Sequence, residues 1–334
     1  MKKLGMRGSL GASAAAALLV LTSCGGGGGD DAPAGGADDA AQNGELTEIS
    51  IGVIPIVDVA PIYLGVQEGI FEEHGLDVDL TLAQGGAAII PAVQSGDFDF
   101  GFSNITSLVI GKSQGLPLEL VAPGPQTTGN PGEDFSSLIV PEDSDAESIA
   151  DLEGQRVAVN TLNNINDTVL KEGIQQEGGD RDSMDLVEVA FPDMGGQLES
   201  GNVDAIMAVE PFATLAKDAG AREIYSPYAE PIEDLMIAGY FTNTEKIENE
   251  PELVDTFITA MKESQQYAED NPDAALEILS EYTEIDPEVA ERLNMPRFPQ
   301  DVNRESTERI IELSEETGLI SEPVDIDELV HDDA

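Results

Sequence analysis

The sequence predicts an α/β protein built as two domains of similar outline. Three observations carry that reading. Strand and helix patterns alternate from residue 49 to residue 123, which argues for a layer of parallel strands covered by helices. The same alternation resumes over residues 136–242. The chain has 334 residues, and what lies beyond the first 46 is too long for most single hydrophobic cores.

The elements follow in order. Ile49, Ile51, Val53 and Ile54 mark a strand that Pro55 ends. A helix over 61–68 buries Ile62, Leu64, Val66 and Ile70, and Gly75 stops the turn after it. Residues 76–82 alternate apolar and polar, as a half-buried strand does. Gly85-Gly86 opens a helix through Val93 that Gly96 ends. Phe98, Phe100 and Phe102 form a third strand, Ser103-Asn104 follows it, and a helix runs to about Lys112. Residues 118–123 are a fourth strand. The second series has strands at 136–140, 156–160, 184–189, 205–209 and 236–242. Its helices run from 164–167 to 173, over 194–200 and over 212–217, with a short turn at 149–154. The last third is helical. Leu253, Phe257 and Met261 lie at i, i+4 spacing beside Val254 and Ile258, an amphipathic stripe. Asp286 with Pro287 is an N-cap and first-turn proline, and Ile310, Ile311, Leu313 and Gly318 describe the last helix.

The first 46 residues are of another kind. Lys2, Lys3 and Arg7 precede an Ala-rich apolar run over 10–21 that is too short to span a bilayer, so residues 1–23 read as a secretory signal. Leu21-Thr22-Ser23-Cys24 resembles the bacterial lipobox, in which the cysteine becomes the lipidated first residue of the mature chain. The alternative is an ordinary cleaved signal with a chance cysteine. Residues 24–46 then serve as a Gly-, Ala- and Asp-rich disordered tether with a reach of about 25 Å. The expected place is the outer face of the cell membrane, held by lipid.

Composition excludes several functions. Cys24 is the one cysteine, so disulfides and cysteine metal sites are excluded, and with His74 and His331 alone, histidine zinc sites and most triads do not fit. No cofactor or metal is expected. The chain carries 66 Asp and Glu against 15 Lys and Arg, a net charge of −51, which rules out nucleic acid as a partner. The acids are spread through helical stretches such as 263–277. That suits a solvated surface adapted to high salt better than cation binding. Asp97 and Asp99 alternate in a strand and read as structural rather than metal-binding.

Six segments together resemble one family: Ile51-Gly52-Val53-Ile54-Pro55 with Ala60-Pro61-Ile62-Tyr63; Glu68-Gly69-Ile70-Phe71 through Gly75-Leu76-Asp77-Val78; Ser95-Gly96-Asp97-Phe98-Asp99-Phe100-Gly101; Asp151-Leu152-Glu153-Gly154-Gln155-Arg156-Val157-Ala158; Gly201-Asn202-Val203-Asp204-Ala205; and Glu210-Pro211-Phe212. They are similar to the periplasmic substrate-binding proteins of ABC importers for nitrate, taurine, alkanesulfonates and thiamine precursors, over nearly all of residues 48–320. The resemblance implies a two-lobed, type II-like periplasmic-binding-protein fold. Lobe 1 would be 47–123 plus 243–334 and lobe 2 would be 124–242, joined by two crossing segments. It implies a monomeric, non-enzymatic lipoprotein that captures a small organic ligand and delivers it to an ABC permease.

Ligands of open α/β sheets sit beyond the carboxyl ends of the strands, where helix N-termini and loops present free N–H groups. That selects Pro55, Asp58, Gly85, Gly86, Ser103 and Asn104 in the first half, and Asn160, Thr161, Asn163 and Glu210 in the second. Tyr63 could stack on a ligand, and Thr127 lies near a crossing segment. Ordinary structural readings stand beside these: Gly85-Gly86 as a turn, Ser103 and either Asn163 or Asn164 as caps, Glu210 as a helix-start charge. No Arg or Lys falls in the candidate loops, and Glu210 and Asp58 lie in them, which leans towards a neutral or amine-bearing ligand such as a pyrimidine over nitrate or a sulfonate. Two rivals remain: a ligand-sensing lipoprotein that signals to a membrane kinase, and an enzyme like the thiamine-pathway member of the same fold. His74 in a helix-end turn and His331 in the tail do not suit the enzyme.

Overall fold

The structure, a computed structural model, describes residues 46–283 and 285–334. The expected signal, Cys24 and the tether up to residue 45 lie outside the described residues. None of the described helices is long and apolar enough to cross a membrane.

In chain order the elements are β1 (Thr47–Val53), α1 (Ala60–Gln67), α2 (Ile70–Glu73), β2 (Leu76–Leu82), α3 (Gly86–Ser95), β3 (Phe100–Asn104), α4 (Ile105–Ser113) and β4 (Leu118–Pro123). Then come β5 (Ser136–Pro141), β6 (Arg156–Val159), α5 (Ile165–Gln176), β7 (Asp185–Glu188), α6 (Phe191–Glu199), β8 (Ala205–Val209), α7 (Phe212–Asp218) and β9 (Ala221–Tyr225). The chain closes with β10 (Ala238–Asn243), α8 (Thr244–Asn249), α9 (Pro251–Asp270), α10 (Pro272–Glu277), α11 (Leu279–Tyr282), α12 (Pro287–Ala290), α13 (Arg304–Glu316) and α14 (Ile326–Leu329).

The strands form two five-stranded mixed sheets in the orders β2-β1-β3-β10-β4 and β7-β6-β8-β5-β9. The two orders are built alike. In each sheet three strands run parallel, and a fourth strand runs antiparallel between them and the edge. That fourth strand is the first one the chain enters after leaving the other sheet: β5 after β4, and β10 after β9. The expected return to the first half at residue 243 is therefore too late. Gly239 and Tyr240 already pair with both β3 and β4, and the whole of β10 is needed to fill that register.

The two crossing segments are tied together. The Thr127 N–H donates to the Leu235 carbonyl at 2.9 Å and the Ile237 N–H to the Pro125 carbonyl at 3.0 Å, while Gln126 and Arg297 exchange backbone bonds at 2.9 Å. Gly124 makes this approach possible, since a Cβ there would lie 2.5 Å from the Ala238 carbonyl oxygen.

Aromatic side chains fill the first core, with Phe100 stacked on Phe257 of α9 at 3.9 Å and Phe102 tilted against Tyr240 at 5.3 Å. Asp99 is structural: its carboxylate accepts from the Ser50 N–H and hydroxyl, both at 2.8 Å, and pairs with Lys246 at 2.7 Å. Burial pushes its carboxyl up, but the bonds from Lys246 and Ser50 outweigh that and hold it below the usual carboxylate range. Three details depart from expectation. Val66 is 38% exposed. The edge strand β9 carries no clear sequence signal. The α13 helix is followed by α14, and Val330 just after it bridges to Leu120 of β4.

Candidate functional site

The carboxyl ends of the parallel strands of the two sheets face one another across a nearly shut gap. The Val57 N–H reaches the Glu210 carbonyl at 3.3 Å, and the hydroxyls of Thr106 (α4) and Thr168 (α5) meet at 3.3 Å. A Cβ on Gly85 would stand 3.2 Å from the Thr161 hydroxyl oxygen. Between these contacts lies a small cavity, with about 30 Å³ open to the centre of a water molecule.

Four expected residues line it: Asp58, Gly86, Asn104 and Asn160. Asp58 follows β1 in a single turn of 3-10 helix over Val57–Val59. Gly86 begins α3 over the strand end of β3. A Cβ on it would lie 2.4 Å from the Ser103 hydroxyl, so only glycine lets the helix start so close to the strand. Ser103 lies behind Gly86, fully buried and without a partner for its hydroxyl. Asn104 caps α4, its side-chain oxygen accepting from the Ser107 N–H at 2.9 Å. Asn160 follows β6, and its Oδ1 accepts from Asn164 Nδ2 at 2.8 Å and from Asn166 Nδ2 at 2.9 Å.

The other expected residues sit elsewhere. Pro55 and Tyr63 are partly buried but do not line the cavity, and Tyr63 stacks on Tyr282 at 4.0 Å. Gly85 and Thr161 oppose each other at the closed mouth. Asn163 takes a left-handed backbone at φ 55, and its N–H donates to Asp167 at 2.8 Å. Thr127 is buried and donates its hydroxyl to Asp134 at 3.0 Å. Glu210 does not line the cavity either. Its carboxylate turns away to accept from the Thr214 N–H at 2.9 Å and hydroxyl at 2.7 Å, and from the Asn294 N–H at 3.5 Å. The two histidines also lie away from the gap: His74 pairs with Glu263, and the His331 N–H bonds to Leu120 of β4.

Sequence reasoning missed Asn164, Asn166 and Tyr228, which also line the cavity. The asparagines carried a signal in their density at one strand-to-helix turn. Tyr228 carried none. It comes from the second crossing segment, and its hydroxyl donates to Asn166 Oδ1 at 2.6 Å. Phe102, Phe191 and aliphatic side chains such as Ile54, Ile165 and Ile237 complete the walls.

The electrostatics are one-sided. Asp58 is 3% exposed, and its Oδ1 has no hydrogen-bond partner. Burial raises its carboxyl to about 7, against the pull of its own backbone N–H, and nearby Asp134 pushes in the same direction. Burial likewise raises Asp167 to about 6, and its Oδ1 is also unpartnered. The Tyr228 and Tyr240 phenols are held well above their ordinary range by burial and then by Asp58. Among the described residues, no Lys, Arg or His lines the cavity, and no group of three or more His, Cys, Asp or Glu is placed to hold a metal ion. The arrangement can accept N–H groups from a ligand; it has no cation with which to neutralise an anion.

Comparison with known proteins gives the setting. The family model described as "NMT1/THI5 like" matches residues 56–275, more than half of the chain. A formylaminopyrimidine-binding protein of Halalkalibacterium halodurans is 25% identical over 240 residues, 70% of each chain. Among solved structures, the alkanesulfonate-binding protein SsuA of Xanthomonas axonopodis pv. citri bound to MOPS superposes with a TM-score of 0.73 at 16% identity, covering 86% of this chain and 99% of that one. The ligand-binding component of an ABC-type import system from Staphylococcus aureus, with zinc bound, gives 0.74 at 14% identity over 86% and 97%. Both share the periplasmic-binding-protein fold with this chain.

Proposed function

This chain belongs to the NMT1/THI5-like family, and from that membership we propose that it is the extracytoplasmic solute-binding component of an ABC importer, taking a small nitrogen heterocycle into the gap between its two halves. The observation that carries the ligand class is the cavity itself. A buried carboxylate with a free oxygen and four asparagines line it, and no cation does. A nitrate or sulfonate placed there would lose its hydration and face Asp58 unneutralised. A neutral or amine-bearing solute would bring the donors that the site lacks. The relative from Halalkalibacterium halodurans, named for a formylaminopyrimidine, supports the same class.

The rest of the reading follows from the sequence. The two sheets act as lobes that swing about the paired crossings and close over the solute, and the permease reads the closed form. Cys24 carries the lipid that keeps the monomer at the outer face of the membrane, and the acidic surface serves life in high salt.

Titration calorimetry with scattering tests the proposal. Presented with 4-aminopyrimidine, ethanesulfonate and nitrate in turn, the protein should give heat and a smaller radius of gyration with the aminopyrimidine alone. Tight binding of either anion, or binding without compaction, would refute it.

A further inference from the structure

We infer that Asp58 reads the charge of the solute: its free Oδ1 accepts an N–H from a nitrogen base bound as the conjugate acid, and the pairing turns anions away. The inference rests on the solute-capture reading above and goes beyond it by naming the discriminating atom and the protonation state of the guest.

The bookkeeping of acceptors carries it. Asn104 Oδ1 is engaged by Ser107, Asn160 Oδ1 by two amides, Asn164 Oδ1 by the Asn166 N–H, and Asn166 Oδ1 by Tyr228. Asn160 Oδ1 is thereby filled, and each of the other three amide oxygens is already engaged once. Asp58 Oδ1 is the buried side-chain acceptor of the cavity lining that stands wholly unengaged among the described residues. A buried carboxylate without a partner is costly, and a cationic donor inside the gap is the arrangement that relieves it.

The groups that sense Asp58 strengthen the case. They come from every side: Asp134 from the first crossing, Tyr228 from the second, Tyr240 from β10 and Tyr282 from α11. All are acids, and Tyr282 is already occupied in donating to the Ile56 carbonyl at 3.1 Å. With acids alone facing it, Asp58 favours the protonated form, in keeping with its rise to about 7. A cation entering below that pH displaces the carboxyl proton to the buffer and takes its place.

The test is titration calorimetry of the full chain with 4-aminopyridine, a cation throughout pH 5–8, and with isonicotinate, an anion on the same ring. Runs at each pH use two buffers of different ionisation heat, so that the protons released are counted. Wild type should bind 4-aminopyridine with an affinity that rises about tenfold per pH unit up to about 7 and then levels, releasing close to one proton at pH 5.5. Isonicotinate should not bind. Asp58→Asn should lose at least tenfold in 4-aminopyridine affinity at pH 8, and its residual binding should be flat with pH and proton-neutral. A merely structural Asp58 would leave the pH profile and the proton count unchanged in the variant. Either that result, a zero proton count in wild type, or failure of 4-aminopyridine to bind at any pH overturns the inference. The wild-type proton count decides even where the variant fails to fold. Solute capture itself falls separately, if no solute compacts the molecule.

Discussion

At the scale of single residues, one buried carboxylate carries a cost. The Asp58 carboxyl is raised from 3.8 to about 7 by burial, so between those values the folded chain holds a proton that the unfolded chain gives up. Stability therefore falls as pH rises from about 4 to 7, and the penalty stands in full above 7, at roughly 4 kcal/mol as an upper bound. Without solute, Asp58→Asn should melt several degrees above wild type at pH 8, with the difference vanishing near pH 4; a variant less stable at pH 8 would show that Asp58 has a structural partner after all. The position of Asp58 beside the gap was legible in the sequence because it lies in the short connection between a strand and a helix. Glu210 was placed at the gap by the same logic, yet its side chain folds back onto the first turn of α7, since Thr214 lies one turn away with an N–H and a hydroxyl to offer. Position after a strand is readable from a pattern of residues; the direction a side chain takes among local donors is not.

At the scale of elements, hydrophobic periodicity located most strands and helices to within a residue or two, because each sheet and helix buries one definable face. It could not find β9, a short edge strand of half-buried residues, or recognise that β10 belongs to the first sheet. Sheet membership depends on pairings distant in sequence, and local alternation carries none of that information. The same distance explains Tyr228, whose N–H bonds to Ser136 of β5 and whose hydroxyl bonds to Asn166 of α5, both far from it in sequence. Gly124 is where those crossings meet the start of β10, and a methyl group there would press on the Ala238 and Gly239 backbone. Gly124→Ala should cost about 1–3 kcal/mol by denaturant titration and should weaken solute binding as well. Unchanged stability would mean that the crossings tolerate separation.

At the scale of the whole molecule, surface charge and lobe closure each carry a prediction. With 66 acidic residues against 15 basic ones, the surface repels itself at low ionic strength, and about 1 M salt screens that repulsion to within about 3 Å. The melting temperature should climb by several degrees between 0.1 and 2 M KCl; a flat profile would remove the salt-adapted reading. The central claim is that two halves close upon a solute held beside Asp58. It is tested most directly at the mouth of the gap, where a Cβ on Gly85 would lie 3.2 Å from the Thr161 hydroxyl, close enough for a disulfide to span the two halves when they are shut. In the Gly85→Cys, Thr161→Cys chain with Cys24→Ser, the cross-link should form markedly faster with 4-aminopyrimidine present than without it, and the oxidised protein should no longer take the solute up. A cross-linking rate indifferent to the solute, with equal uptake in the oxidised and reduced forms, would contradict closure as the basis of capture.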